Sequence, residues 1–384
     1  MQPSADPQRA PGWAERLRDW RNRVVARPGF QRWAAAFPLT RPVARGQAAE
    51  VFDLVAGFVY SQVLLACVRL GVFELLADGA LAQAELAERL RMSEEGVERL
   101  VAAAAALELL ERRPGARVAL GRLGAPLVGN RALTSMIEHH ATLYADLQDP
   151  VALLRREGRP AMAGYWPYAA VDGGRSPATL PAERVAEYSA LMTASQPMVT
   201  QEVLDAYRFD RHQVLLDVGC GEGSFVTAVA RQAPHLQLML FDLPAVAERA
   251  RLRLLQSGLA SRASTFGGDF FADELPRGAD LVSLVRVCFD HPDERVLRLL
   301  QAVRRALPDH GTLLLAEPMS GVPGAEAMGD AYFGFYLLAM GRGRPRSAAH
   351  LGRLLHAAGF ASVRSVPTRM PLQSGLLVAR CAKA

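Results

Sequence analysis

The sequence predicts an α/β protein: a C-terminal, doubly wound parallel sheet with helices on both faces, preceded by an α-helical region of winged-helix-like form. From Tyr207 onward, seven apolar runs (QVLLDV, LQLMLF, ASTF, ADLVSLVRV, GTLLLAE, ASVRSV and SGLLVAR) alternate with amphipathic stretches, the pattern of strands buried on both faces. The first run ends in a glycine-rich turn, LLDVGCGEGSF, which opens a helix as nucleotide-binding sheets do. Upstream, AQAELAERLRMSEEGVERLVAAAAALELLERR followed by ARVAL reads as helix, turn at Met92 and Ser93, second helix and short hairpin, the winged-helix order.

A chain of 384 residues, half of them hydrophobic, can bury a large core, which excludes disorder and fibrous architectures. All basic residues but one are arginine, and the single lysine is Lys383, beside the carboxyl end. Schiff-base chemistry, a Walker A lysine and a kinase-type phosphate lysine are therefore excluded. Cys67, Cys220, Cys288 and Cys381 form no CxxC pair, so neither a disulfide framework nor a zinc knuckle is expected, and a reducing cytoplasm fits.

Taken in order, residues 1–47 form a basic Trp/Arg-rich segment. Nine arginines face three acids before Gly46, with Trp13, Trp20 and Trp33 interleaved. Such a segment suits either the surface of an anionic membrane, where indole rings settle at headgroup depth, or a dimer partner. No apolar signal-peptide core is seen there. Leu54 to Val68 is a charge-free run of fifteen residues, short of the roughly 20 that span a bilayer, and predicts a buried helix. Residues 48–130 make up the winged-helix-like domain. Its second helix carries Glu94, Glu95, Glu98, Glu108 and Glu111 against Arg99 alone, a charge unsuited to approaching phosphates, so no nucleic acid partner is expected. Residues 131–204 are a helical connector with EHHATLYADL, an aromatic and glycine-rich loop (GYWPY, DGGRSP) and the helix AERVAEYSALMTASQPM. Residues 205–384 hold the sheet.

The glycine loop has Gly219, Gly221 and Gly223, with Ser224 where a dinucleotide fingerprint requires its third glycine. Glu222 in the turn would oppose a phosphate at the helix N-terminus. A phosphate-free nucleoside therefore fits better. Asp242 ends the next strand, where an acid accepts from both ribose hydroxyls. In GGDFF, Asp269 is placed to accept from an adenine amino group and Phe270 to stack on the ring. Ribose and base without phosphate point to S-adenosyl-L-methionine.

The ordered series DVGCGEGSF, FDLP, GGDFF, LVRVCFDHPDE and GTLLLAEP resembles class I S-adenosylmethionine-dependent O-methyltransferases of the caffeate and acetylserotonin type, over about residues 48 to 380. The resemblance implies a Rossmann-like methyltransferase domain behind a helical dimerisation domain, and a metal-independent homodimer. Among the site residues it implies, Asp217, Gly219 and Gly221 hold the methionine part, Asp242 and Leu243 the ribose, and Asp269 and Phe270 the adenine, with Arg286 bordering the cofactor. The sequence itself shows no spaced His or carboxylate cluster of metal-ligand type. One departure stands out: where the family places its general-base histidine, this chain has Phe289, and His291 follows two positions on. VRVCFDHPDE, GDAYFGFYLLAMG and the Trp/Arg-rich start together look like the bacterial carotenoid branch. Members of that branch methylate the tertiary hydroxyl of hydroxyneurosporene or demethylspheroidene.

His291 is then the candidate base, oriented by Asp290 or Glu317. The bland alternative is a helix start, with Asp290 or His291 as cap, Pro292 at the first helical position, and Asp293 and Glu294 favouring the dipole. Of His139 and His140, adjacent on a helix, at most one is expected to face the acceptor, with His140 preferred. Tyr332, Phe333, Phe335, Tyr336, Leu337 and Met340 either line a long apolar channel or are ordinary core. Arg342, Arg344 and Arg346 would flank the mouth of such a channel. The expectation is a cytoplasmic, membrane-peripheral homodimer methylating a hydroxyl on an apolar small molecule, an acyclic carotenoid. The alternatives are an aromatic polyketide or phenol as acceptor, or a catalytically silent S-adenosylmethionine-binding regulatory dimer.

Overall fold

A computed structural model describes residues 12–165, 196–371 and 374–383. GYWPY beyond Tyr165, DGGRSP and most of AERVAEYSALMTASQPM lie outside the described residues. The chain divides into two compact units, Met1–Ala125 and Pro126–Ala384.

The first unit begins with α1 (Trp13–Val25), α2 (Pro28–Ala36), α3 (Arg41–Arg69) and α4 (Val72–Leu75). On α1, Trp13, Leu17, Trp20 and Val24 recur at helical spacing, and the first three are exposed. α3 corrects the expectation of a buried helix: of its residues only Leu65 and Cys67 are buried. Phe52, Leu54, Val55 and Phe58 stand open. The helix is also longer than the charge-free run within it, because it starts at Arg41. By length and composition alone, α3 is long and apolar enough to cross a membrane.

The winged-helix order is present. β1 (Leu81–Ala82) leads into α5 (Gln83–Leu90) and α6 (Glu94–Ala106), followed by β2 (Leu110–Arg113) and β3 (Arg117–Leu120), with strand order β1-β3-β2. Ser93 caps α6 by accepting from Gly96 N at 3.1 Å.

The second unit continues with α7 (Arg131–Asp146), α8 (Pro150–Arg155), α9 (Ala161–Tyr165) and the helical residues 196–206 (α10). The sheet follows: β4 (Val214–Val218), α11 (Ser224–Gln232), β5 (Gln237–Asp242), α12 (Pro244–Gln256), β6 (Ala263–Gly267), β7 (Leu281–Val285), α13 (Asp293–Ala306) and β8 (Thr312–Glu317). It closes with α14 (Phe333–Ala339), α15 (Ala348–Ala357), β9 (Phe360–Val366) and β10 (Gly375–Cys381).

Strand order is β6-β5-β4-β7-β8-β10-β9. The strand count matches the seven apolar runs, but β10 runs antiparallel to both β8 and β9. Apolarity on both faces reports burial and carries no information about direction.

Successive strand residues serve opposite faces. Leu216, Leu313 and Leu315 pack with α13 and α15, while Leu215, Leu314 and Ala316 join the core on α10 and α11. At the amino edge, Asp280 accepts from Val214 N at 2.7 Å and pairs with His212, which is bonded to the Tyr207 hydroxyl. These contacts pin the starts of the central strands.

Candidate active site

The carboxyl ends of the strands carry the expected cofactor residues, and Asp242 is the hub that joins their loops. Gly219 N donates to Phe241 O at 2.9 Å, and Gly268 N donates to Asp242 O at 2.9 Å. The Asp242 carboxylate accepts from Gly221 N at 2.8 Å on Oδ2 and from Leu243 N at 2.7 Å on Oδ1. Gly219 has φ +71°, and a Cβ there would lie 2.7 Å from Val287, so only glycine lets the loop close on the end of β7.

These residues fit a nucleoside ligand. Each Asp242 oxygen has accepted one N–H and keeps capacity for a hydroxyl. Burial pushes this carboxyl up to about 6 against the pull of the two N–H donors. Ser224 Oγ, at the first position of α11, is buried with no hydrogen-bond partner. Asp217, beneath the loop, accepts from Ser283 Oγ at 2.6 Å. Burial lifts Asp217 to about 7, with the Ser283 bond opposing and the Asp242 charge adding.

Contrary to the expectation that Glu222 opposes a phosphate, it is ion-paired to Arg249 and Arg253 on α12, so its charge is neutralised rather than aimed at a ligand. The failure of the fingerprint at Ser224 is what remains. Asp269 Oδ1 accepts from Phe271 N at 2.8 Å. Phe270 stands edge-on to Phe271, with ring centroids 4.6 Å apart. Arg286 occupies left-handed backbone at φ +60°, a strained conformation of the kind found at functional sites.

The turn after β7 sorts its side chains into two groups. Phe289 is buried with Leu337 and Met340 and stands edge-on to Phe333 at 6.3 Å. His291 joins Phe271 and Phe270 instead, with rings 4.9 and 5.8 Å away. Its basicity is pushed down to about 3 by burial, then by Arg295, Arg346 and Arg342. The structure therefore does not bring His291 to the tyrosine-bearing group.

Glu317 Oε2 accepts from Phe289 N at 3.0 Å, and its Oε1 is buried without a hydrogen-bond partner. Burial raises this carboxyl to about 8 despite Arg346. Asp290 is raised to about 7 by burial, with the charge of Arg286 opposing. Pro292 is the N-cap of α13 rather than its first residue, and no side chain caps the helix. Arg346 is no mouth residue either. It is wholly buried, donating to Asp293 Oδ1 (2.7 Å), Cys288 O (2.9 Å) and His291 O (2.5 Å).

On the Phe289 side, α7 contributes more than expected. His140 Nε2 lies 2.6 Å from the Tyr332 hydroxyl, and His139 Nε2 lies 3.1 Å from that of Tyr336. Both histidines reach one tyrosine pair. Adjacent rings diverge on their own helix, but their targets are spaced one turn apart on another: Tyr332 and Tyr336 stack at 5.9 Å. Tyr332 ends a π-helical turn, Ala327–Tyr332, that runs into α14, a distortion frequent at functional sites. The EHH doublet and the two tyrosines four apart were the available signal. The chain's fold decides that they meet. All four cysteines are buried, and burial lifts the Cys220 and Cys288 thiols well above their ordinary value, which leaves them inert.

Strand order with a single reversed strand, a glycine loop tied to an acid at the end of β5, and a helical unit ahead of the sheet define a class I methyltransferase. Residues 144–361 match the O-methyltransferase domain, and residues 52–130 match the O-methyltransferase dimerisation domain. The chain belongs to the S-adenosylmethionine-dependent O-methyltransferase family. It is 43% identical to the demethylspheroidene O-methyltransferase of Cereibacter sphaeroides, over 93% of each chain. It is 39% identical to that of Rhodobacter capsulatus, over 89% of this chain and 84% of the other. Among solved structures, CalO1, a methyltransferase in calicheamicin biosynthesis in its SAH-bound form, is 28% identical. That match covers 88% of this chain and 98% of the other, with a TM-score of 0.73.

Proposed function

We propose that this chain methylates the tertiary hydroxyl of an acyclic carotenoid of the demethylspheroidene or hydroxyneurosporene kind. The likeness to demethylspheroidene O-methyltransferases along nearly the whole of both chains carries the reading. S-adenosylmethionine supplies an electrophilic methyl carbon on a sulfonium. Asp217, Gly219, Gly221, Asp242 and Leu243 hold its methionine and ribose parts, Asp269 and Phe270 its adenine, and Arg286 borders it, with no metal required. Phe289, Phe333, Leu337 and Met340 form one apolar group with Tyr336 and the half-buried Tyr332, and in this reading they exclude water around the acceptor hydroxyl. An aliphatic alcohol is too weak an acid to be deprotonated beforehand, so alignment carries much of the rate and the proton leaves during transfer. α7, in the 131–204 connector, contributes to the acceptor pocket.

The protein works as a homodimer at the cytoplasmic face of a membrane, where α1 presents its Trp13–Leu17–Trp20 face to lipid and its arginines to anionic headgroups. The test of the reaction is direct. Purified protein given S-adenosylmethionine and demethylspheroidene in anionic vesicles should yield the methyl ether, identified by mass. Cells lacking the gene should accumulate hydroxycarotenoids. Methylation of phenolic acceptors alone, with an unaltered pigment profile, overturns the reading.

A further inference from the structure

The displaced histidine leaves the reaction without the proton acceptor expected at position 289. Phe289 is buried against Phe333, and His291 is turned into the Phe270–Phe271 group. The side-chain group around Phe289 nevertheless contains a short, half-buried, ionisable pair. His140 Nε2 and the Tyr332 hydroxyl are 2.6 Å apart, their rings edge-on at 5.4 Å. Tyr332 also packs on Phe333 at 4.9 Å, which links it to Phe289. From the end of β7, the charge of Arg286 reaches both the Tyr332 phenol and Asp290. Tyr332 thus sits between a strand end of the methyltransferase sheet and an imidazole on α7.

We propose that Tyr332 receives the proton of the acceptor hydroxyl and passes its own to His140, so that the pair does the work of the absent histidine. This rests on the O-methylation reading above. As the acceptor oxygen bonds to the methyl carbon, the carbon–sulfur bond breaks and its electron pair stays on sulfur. The acceptor's proton moves to the Tyr332 oxygen, while the phenolic proton moves to His140 Nε2. Tyr332 ends neutral, and the positive charge lost by the sulfonium resides on the imidazolium until water removes it. Tyr332 is the contact residue, and His140 acts through it.

Only neutral His140 can accept. Among the described residues, the titratable or charged groups that reach the pair are His139 beside it on α7, Tyr336 stacked on Tyr332 and bonded to His139, and Arg286 from the β7 side, whose charge acts on the Tyr332 phenol. Burial lowers the basicity of His140, and His139 is pushed down to about 4 by burial and then by the neighbouring His140 charge. The acid limb of the kcat profile is therefore expected below the ordinary histidine value of about 6.5.

The test compares full-length wild type with His140→Gln and Tyr332→Phe. Glutamine still accepts a hydrogen bond from Tyr332 but takes up no proton. Expected for both variants are a fall in kcat of about a hundredfold or more, little change in KM, and loss of the acid limb, with S-adenosylmethionine affinity by calorimetry unchanged. Imidazole added to His140→Gly should restore part of the rate. An independent readout is the nitrogen NMR shift of His140, which should report the bond to Tyr332 and change in Tyr332→Phe. If wild type methylates the carotenoid and His140→Gln retains both rate and acid limb, the relay is overturned while the function stands. If wild type methylates no hydroxycarotenoid, the functional reading itself fails.

Discussion

At the scale of single residues, environment separates groups that the sequence places side by side. Phe289 and His291 are two positions apart, yet one faces the tyrosine group and the other the Phe270–Phe271 rings. His291→Ala is expected to remove buried ring contacts and cost about 1–3 kcal/mol of stability, read from the denaturant midpoint, while the pH profile of turnover keeps its acid limb. A hundredfold loss of turnover at undiminished stability would restore His291 as the base. Because the folded-state value of His291 is depressed to about 3, its contribution to stability is intact above about 6.5 and is lost as pH falls toward 3. Glu317 works in the opposite sense. Its carboxyl is raised to about 8, so stability is complete below the ordinary carboxyl range and is lost as pH rises toward 8. Glu317→Gln keeps an oxygen for the Phe289 N–H and cannot ionise. Urea midpoints should therefore show the variant gaining on wild type steadily between about pH 5 and pH 8, and parallel curves would refute the assignment.

At the scale of elements, the turn from Cys288 to Asp293 is held from outside by the segment before α15. Arg346 ties Asp293 to the carbonyls of Cys288 and His291, and Asp293 also pairs with Arg344 and His350. Burial acts to raise the Asp293 carboxyl, but the bonds from Arg346 and Arg344 more than offset it and hold it low. Gly343, at φ +79°, passes so close that a Cβ would meet Phe289 O at 2.1 Å. Arg346→Met leaves the carbonyls of Cys288 and His291 without their donor and Asp293 with only Arg344 and His350. It should cost about 3–5 kcal/mol, seen as a lowered Tm, and Arg346→Lys should recover little because lysine lacks the planar fork. A Tm close to wild type for Arg346→Met would remove the bracket from the account.

At the scale of the whole molecule, the amino-terminal unit exposes two apolar surfaces of different character. The face of α3 bearing Phe52, Leu54, Val55 and Phe58 is uncharged and falls largely within the dimerisation domain. α1 mixes tryptophan with arginine and lies before that domain. Phe58→Glu should therefore shift the protein from dimer to monomer in sedimentation. Deleting residues 1–40 should leave the dimer intact but abolish binding to vesicles rich in anionic lipid. Equal vesicle binding before and after the deletion would assign α1 to the partner subunit instead.

Much of the fold was legible because burial leaves a periodic trace. Seven apolar runs gave seven strands, and the glycine loop, Asp242 and Asp269 followed from their places at strand ends. Chain direction left no such trace, so β10 was misread as parallel, and the exposure of α3 was hidden because apolarity does not say what covers it. The proton acceptor was the least visible part. His139, His140, Tyr332 and Tyr336 lie nearly two hundred residues apart in the chain, and hydrophobic spacing encodes which side of a helix is buried, not which distant ring it meets. The sequence by itself determined the methyltransferase fold and the glycine loop tied to Asp242 at the strand ends, since both rest on local backbone requirements. The tertiary structure alone decided where Phe289, His291 and the two histidines of α7 point, because a short polar contact between remote segments exists only once both are packed.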